Sequence, residues 1–175
     1  MGLHRAWPDA EITGIDNRPQ PRYPFKFVLG DAMEFPLDGY DFIWASPPCQ
    51  GYSRTRHLPW LKDRKHPMLI DAVRGLLKGR AAYCIENVGD SPLIGPVLCG
   101  RMFGLKVVRH RKFETNFYMM VPHHPTHESV HGGRMFGARL RKQADELGIN
   151  WMNAAERSQA VPPAYSEFIA RQYTP

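Results

Sequence analysis

Two side chains in this chain stand where they could do covalent chemistry: Cys49, in the run ASPPCQGYS, and Glu86, in CIENV. A cysteine thiolate is a strong nucleophile, and nearby Arg or Lys stabilises its charge. Pro47 and Pro48 stiffen the backbone just ahead of Cys49, so a loop of this kind loses little entropy when it closes on a substrate. The structural alternative is a buried thiol that only packs. That reading suits Cys84 and Cys99 better, because both lie inside apolar stretches. Glu86 ends an apolar run, where a carboxyl is costly unless paired or used. Partial desolvation there would raise its pKa and let it hold a proton. An acid beside a nucleophile suits an aromatic heterocycle such as a pyrimidine, since a hydrogen bond to a ring nitrogen makes the ring carbon electrophilic. For Glu86 a second reading stays open, a carboxylate bonded to backbone amides or to an arginine.

Basic residues gather in three places: Arg54, Arg56, Lys62, Arg64 and Lys65; then Arg109, Arg111 and Lys112; then Arg134, Arg139, Arg141 and Lys142. With a net charge of +6, this distribution favours an anionic partner such as nucleic acid, whose counterions basic side chains displace. His123, His124 and His127 raise a metal hypothesis. HHPT, however, lies in a loop with no cysteine partner and a proline between the candidate ligands, so solvated or phosphate-facing histidines are expected and no metal site is assigned. The three cysteines lack C-x-x-C spacing, which indicates neither a disulfide framework nor a zinc knuckle.

The elements that must position these residues are legible as short apolar runs ending in turns. EITGID at 11–16, KFVLGD at 26–31, DFIWASPP at 41–48 and AAYCIENV at 81–88 each read as a buried strand. Between the last two, Met68, Leu69, Ala72, Val73, Leu76 and Leu77 fall at helical spacing, which makes a strand–helix–strand parallel crossover. Ligands of open α/β sheets sit beyond the carboxyl ends of the strands. Asp16, Asp31, Cys49 and Glu86 are therefore expected on one rim. After residue 95, GPVLCGRMFG reads as a short helix and turn, LKVVRHRKFETNFYMM as extended strands, and VPHHPTHESVHGGRMFG as a loop. Three helical segments follow, ARLRKQADELG, NAAERSQA (capped by Asn153) and PAYSEFIARQY (behind Pro162–Pro163). Trp151 and Met152 are expected to pack.

The chain has 175 residues, 43% of them hydrophobic and 23% charged, enough for one domain with a real core. No apolar run approaches the roughly 20 residues of a membrane span, and MGLHRAWPDAE lacks the apolar core of a signal peptide. A cytoplasmic protein with no membrane partner is the expectation.

PPCQ at 47–50, ENV at 86–88, RHR at 109–111 and AVPPAYSEFIARQ at 160–172 occur in the order found in DNA cytosine-5 methyltransferases. The chain resembles that family over nearly its whole length, with GID at 14–16 and GDA at 30–32 matching two cofactor-side motifs. It looks especially like the short phage-type members, in which GINWMNAAERSQAVPPAYSEFI has counterparts. The resemblance implies that Cys49 adds to C6 of a cytosine flipped out of the duplex. It implies that Glu86 contacts N3 and the exocyclic amine, that Asn87 orders the catalytic loop, and that Arg111 with Arg109 supports the thiolate or the base. The methyl donor would be S-adenosylmethionine, with Asp16 at its ribose hydroxyls, Asp31 at its adenine, and Asn17, Ala32 and Pro47 also among the cofactor-binding residues. Gln50, Ser53, Arg54, Arg56 and Arg134 would contact DNA. DNA methylation in a bacterium or a phage-infected host cell, as in restriction-modification, is the implied setting. Two rival functions stand beside it: an inactive DNA-binding remnant, and a covalent pyrimidine enzyme acting on nucleotides or RNA.

The family's first motif, a strand entering a glycine-rich FxGxGG loop, is absent; MGLHRAWPDAEITGID resembles the helix that follows it. The expected fold is therefore an α/β, Rossmann-like class I methyltransferase sheet missing its first strand, with an incomplete cofactor site. A late start site, a truncated gene or a complementing chain would account for that. Only about 45 residues separate RHRKFE from the C-terminal block, so the target-recognition segment is very small. The expected organisation is a catalytic core at 1–117, a loop-rich recognition segment at 118–150, and a helical block at 151–175 that returns to the core.

Overall fold

The computed structural model describes residues 1–53, 57, 64–127 and 147–173. In chain order its elements are α1 (Gly2–Ala6), β1 (Thr13–Asp16), β2 (Lys26–Leu29), β3 (Phe42–Ala45), α2 (Ile70–Leu77), β4 (Ala82–Val88), β5 (Val97–Leu98), a 3-10 turn (Gly100–Phe103), β6 (Arg111–Thr115), α3 (Ala154–Gln159) and α4 (Pro163–Ala170). They form a mixed α/β protein in two compact units. The central unit comprises Pro36–Leu98 and His110–Val121; the terminal unit comprises Met1–Phe35, Cys99–Arg109 and the described part of Pro122–Thr174. Among the described residues no helix is long and apolar enough to cross a membrane.

The central unit is built on a four-stranded sheet of order β3-β4-β6-β5. β3 and β4 run parallel and are joined through α2, as the crossover pattern predicted; β6 runs antiparallel to both β4 and β5. β4 has a neighbour on each edge, and accordingly Cys84, Ile85, Glu86 and Asn87 are all buried. α2 starts at Ile70, two residues later than the spacing suggested, and buries Ile70, Val73 and Leu77. Met68 and Ala72, counted in the apolar face from sequence, are exposed. β5 reaches β6 through a tight corner. Gly95 has φ +155°, and a Cβ there would collide with the Phe113 carbonyl oxygen, while the Pro96 carbonyl accepts from the Phe113 N–H at 3.0 Å. Only glycine fits that corner. Of the extended segment expected over LKVVRHRKFETNFYMM, only Arg111–Thr115 is strand.

The terminal unit holds a separate two-stranded parallel sheet, β1-β2, with Asp16 opposite Leu29. The single rim expected for Asp16, Asp31, Cys49 and Glu86 is thus corrected: the strands pair as two sheets, and no described strand bonds both to β1 or β2 and to β3 or β4. α1 packs on α4 so closely that a Cβ on Gly2 would meet the Pro163 carbonyl and Ser166 Oγ. α3 begins with the expected cap, Asn153 accepting from the Glu156 N–H at 2.9 Å while Glu156 accepts from the Asn153 N–H at 2.8 Å. Pro163 occupies the first turn of α4, where its missing N–H costs nothing. Trp151 and Met152 pack on Val107, Leu147 and Ile149, as anticipated. Most of ARLRKQADELG lies outside the described residues.

Candidate active site

Cys49 sits four residues past the end of β3, beyond Ser46 and the two prolines. It is half-buried, whereas Cys84 and Cys99 are fully buried. Its carbonyl accepts from the N–H groups of both Tyr52 and Ser53 at 3.0 Å, so the chain turns tightly behind the thiol. Two side chains fix this loop to its unit. The Asn87 amide donates to the Pro47 carbonyl at 2.9 Å, and the Tyr52 hydroxyl accepts from the Ile70 N–H at 3.1 Å, at the start of α2. Because β3 and β4 are adjacent and parallel with Ala45 opposite Ile85, the Pro47 carbonyl naturally faces Asn87. The loop bearing Cys49 and the strand bearing Glu86 are therefore one construction.

Glu86 is buried, and its carboxylate is paired with the Arg111 guanidinium at 2.9 Å. Strand alternation explains the pairing: Glu86 lies opposite Phe113 and Val88 opposite Arg111, so Glu86 and Arg111 are diagonal neighbours on one sheet face. Of the two readings of Glu86, the arginine-bonded carboxylate is the one that forms. The buried Glu86 carboxylate thus has a counter-charge beside it. Arg111 also donates to the His110 carbonyl at 3.0 Å, which orients its plane. Cys84, two residues before Glu86 on the same face, has its thiol pushed well above the ordinary range by burial and then by the Glu86 charge. It stays protonated at neutral pH and is no nucleophile.

A second charged cluster, unseen in the sequence, braces the same unit. Arg74 on α2 grips Glu114 of β6 with two bonds, 2.6 and 2.8 Å, and also bonds Asp71. The Ile94 N–H donates to the same Glu114 carboxylate at 2.8 Å. The guanidinium, followed by that amide, holds the Glu114 carboxyl below the usual range. Lys112 donates to the Ser91 carbonyl at 3.3 Å.

The remaining expected residues fall as follows. Asp16 ends β1 and accepts from the Arg18 N–H at 2.8 Å and the Gln20 amide at 3.1 Å. Asp31, just past β2, accepts from the Met33 N–H at 2.8 Å. Both carboxylates thus close local turns at the carboxyl ends of neighbouring strands, with Asn17 and Ala32 exposed beside them. Arg109 belongs to the terminal unit, where it donates to the Ser158 carbonyl at 2.6 Å and its own carbonyl accepts from the Tyr165 hydroxyl at 2.6 Å. Pro47 is buried, Gln50 exposed and Ser53 half-buried; Arg54, Arg56 and Arg134 lie outside the described residues. Sequence reasoning missed Tyr52, Arg74 and Glu114. Glu114 had one visible signal, a carboxyl next to Phe113 in a run that reads as strand; Arg74 had none, since an arginine on a helix is ordinary.

Comparison with models of known protein families, with curated proteins and with solved structures gives no match.

Proposed function

We propose that the chain is a DNA cytosine-5 methyltransferase domain that uses Cys49 to attack C6 of a flipped cytosine. The observation that carries this reading is the Asn87–Pro47 hydrogen bond. It locks the Pro-Pro-Cys loop onto β4 at the residue that follows Glu86, so Cys49 and the carboxyl are carried by adjacent strands of one unit. Supporting it are the motif order and the net charge of +6, which suits a phosphate backbone.

Cys49 Sγ, as thiolate, adds to C6 and breaks the C5–C6 π bond, leaving an electron pair on C5. Glu86, held as a carboxylate by Arg111, accepts from the exocyclic amine; as thiolate addition makes N3 basic, N3 takes a proton from solvent and its N–H donates to the same carboxylate, which keeps the ring oriented through the addition. C5 takes a methyl group, its proton departs to a base, and the C6–S bond breaks to restore the thiolate and the ring. S-adenosylmethionine would supply the methyl group. The terminal unit's residues fit such a donor. Asp16 and Asp31 are two carboxylates at neighbouring strand ends, and a carboxylate has about four acceptor sites, so hydroxyl and amine donors can be taken beside the turn bonds. Each unit carries a parallel strand pair, β1-β2 in one and β3-β4, joined through α2, in the other, and parallel pairs of this kind are what a Rossmann-like sheet is made of. That supports the finer, Rossmann-like reading of the α/β fold.

The test is covalent trapping on DNA containing 5-fluorocytosine with S-adenosylmethionine present. Fluorine replaces the departing proton, so the C6–S bond persists. A DNA adduct that Cys49→Ala abolishes supports the proposal. An adduct with the free nucleotide but not with DNA would move the activity to nucleotides. DNA binding without any adduct would leave a binding remnant.

A further inference from the structure

Cys99 lies in the terminal unit, fully buried just ahead of the 3-10 turn, and the covalent chemistry above makes no use of it. The sequence offered His124 and His127 no cysteine partner, but the fold supplies one 28 residues earlier: Cys99 Sγ stands 3.4 Å from His127 Nε2. For His127 the expectation of a merely solvated ring is corrected there, while His123 and His124 are exposed as expected. His124 is drawn into the same cluster, its ring centroid 5.0 Å from that of His127. One potential ligand atom from each of Cys99, His124 and His127 lies within 4.8 Å of the other two. Pro125, read from sequence as an obstacle, lies between two histidines whose rings nonetheless converge.

We propose that Cys99, His124 and His127 bind a zinc ion. The donor set decides the metal: one soft thiolate with two imidazoles suits zinc, whereas magnesium and calcium take oxygen ligands. The dimensions agree. Zn–S and Zn–N bonds of about 2.3 and 2.0–2.1 Å at a tetrahedral angle put sulfur and nitrogen about 3.6 Å apart, close to the 3.4 Å between Cys99 and His127. A simple S–H···N bond would also give that distance, but it needs only one imidazole; the second histidine converging on the same point is what a metal explains. The tautomer of His124 fits too. Its Nδ1 is 3.0 Å from the Pro125 carbonyl. An Nδ1–H donated there leaves the lone pair on Nε2, the arrangement in which outer-shell carbonyls hold zinc-ligating histidines. Binding releases the Cys99 proton, and a fourth ligand from the chain or from solvent completes the tetrahedron. The ion would tie the segment beginning at Cys99 to the 122–127 loop, a structural role independent of whether Cys49 is reactive.

Metal analysis of the full chain, purified without chelator, tests this. About one zinc per chain is expected, lost in Cys99→Ser and in His127→Ala but kept in His123→Ala and in Cys49→Ser. Because a ligand variant can lose zinc by misfolding, cobalt(II) titration of the wild-type chain is the second measurement. A thiolate-to-cobalt charge-transfer band should appear in the wild-type chain and in Cys49→Ser and be absent from Cys99→Ser. A folded wild-type chain that neither carries zinc nor shows that band with added cobalt, or a Cys99→Ser variant with undiminished zinc, overturns the proposal.

Discussion

Replacing Asn87 probes the tether between the Cys49 loop and β4. Asn87 is almost completely buried, and its amide is bonded to the buried Pro47 carbonyl at 2.9 Å. Its own oxygen accepts from the Val88 N–H at 3.0 Å, a half-buried group that water can serve in part. The Pro47 bond therefore sets the magnitude. Asn87→Ala leaves a buried acceptor without its donor, a loss of about 1–3 kcal/mol; about 2 kcal/mol is a roughly 30-fold change in the folding constant. Asn87→Asp keeps the shape but sets a carboxylate oxygen against the carbonyl, adding repulsion and desolvation, so it should cost more than Ala despite being the smaller change. Both should slow Cys49 attack on a pyrimidine, since misplacing a reacting group by about 1 Å can cost roughly 100-fold. Urea denaturation gives the stabilities, and the rate of adduct formation under excess DNA gives the reactivity. An Asn87→Asp protein within about 0.5 kcal/mol of wild type that forms adduct at the wild-type rate would refute the tether.

Three further outcomes are expected. Glu114→Gln should cost about 2 kcal/mol at neutral pH, below the usual range for a buried pair because Arg74 is partly exposed. The folded Glu114 carboxyl is held low, so its stabilisation is present above the unfolded value of about 4.3 and disappears as pH falls through the folded one. The gap between variant and wild type in pH-dependent denaturation should therefore narrow under acid; a constant gap would contradict the assignment. Gly95→Ala should cost about 2–4 kcal/mol through backbone strain and collision with the Phe113 carbonyl, read as a fall in Tm; an unchanged Tm would show that the corner can relax. A thiol reagent at neutral pH should label Cys49 first and Cys84 only on unfolding, because Cys84 is buried with its thiol pushed up. Peptide mapping that finds Cys84 labelled early would overturn that order.

What the sequence disclosed was what short segments determine by themselves. β3 and β4, the α2 crossover, the Asn153 cap and Pro163 in the first turn of α4 all follow from local hydrophobic period and capping chemistry, and each formed within a few residues of its expected place. What it concealed depends on which strands pair. The apolar runs of β1 through β4 look alike, so nothing in them announced that β2 and β3 would belong to different sheets. The Glu86–Arg111 pair follows from the antiparallel register of β4 against β6, which side-chain period alone does not fix. Arg74 and Glu114 are 40 residues apart, and Cys99 and His127 are 28 apart; only the folded backbone makes them neighbours. The strands that carry Cys49 and Glu86 were therefore legible, and the charges around Glu86 were not.

The central claim is that Cys49 attacks C6 of a pyrimidine in DNA, and it can be measured without the methyl donor. DNA carrying 2-pyrimidinone in place of cytosine lacks the exocyclic amine that feeds electrons into the ring, so C6 is more electrophilic and addition needs no later transfer step. After digestion, mass spectrometry should find this base attached to the peptide containing Cys49, with no such peptide from Cys49→Ala. Attachment through Cys84 or Cys99, or intact folded protein that forms no adduct with this DNA, would contradict the account.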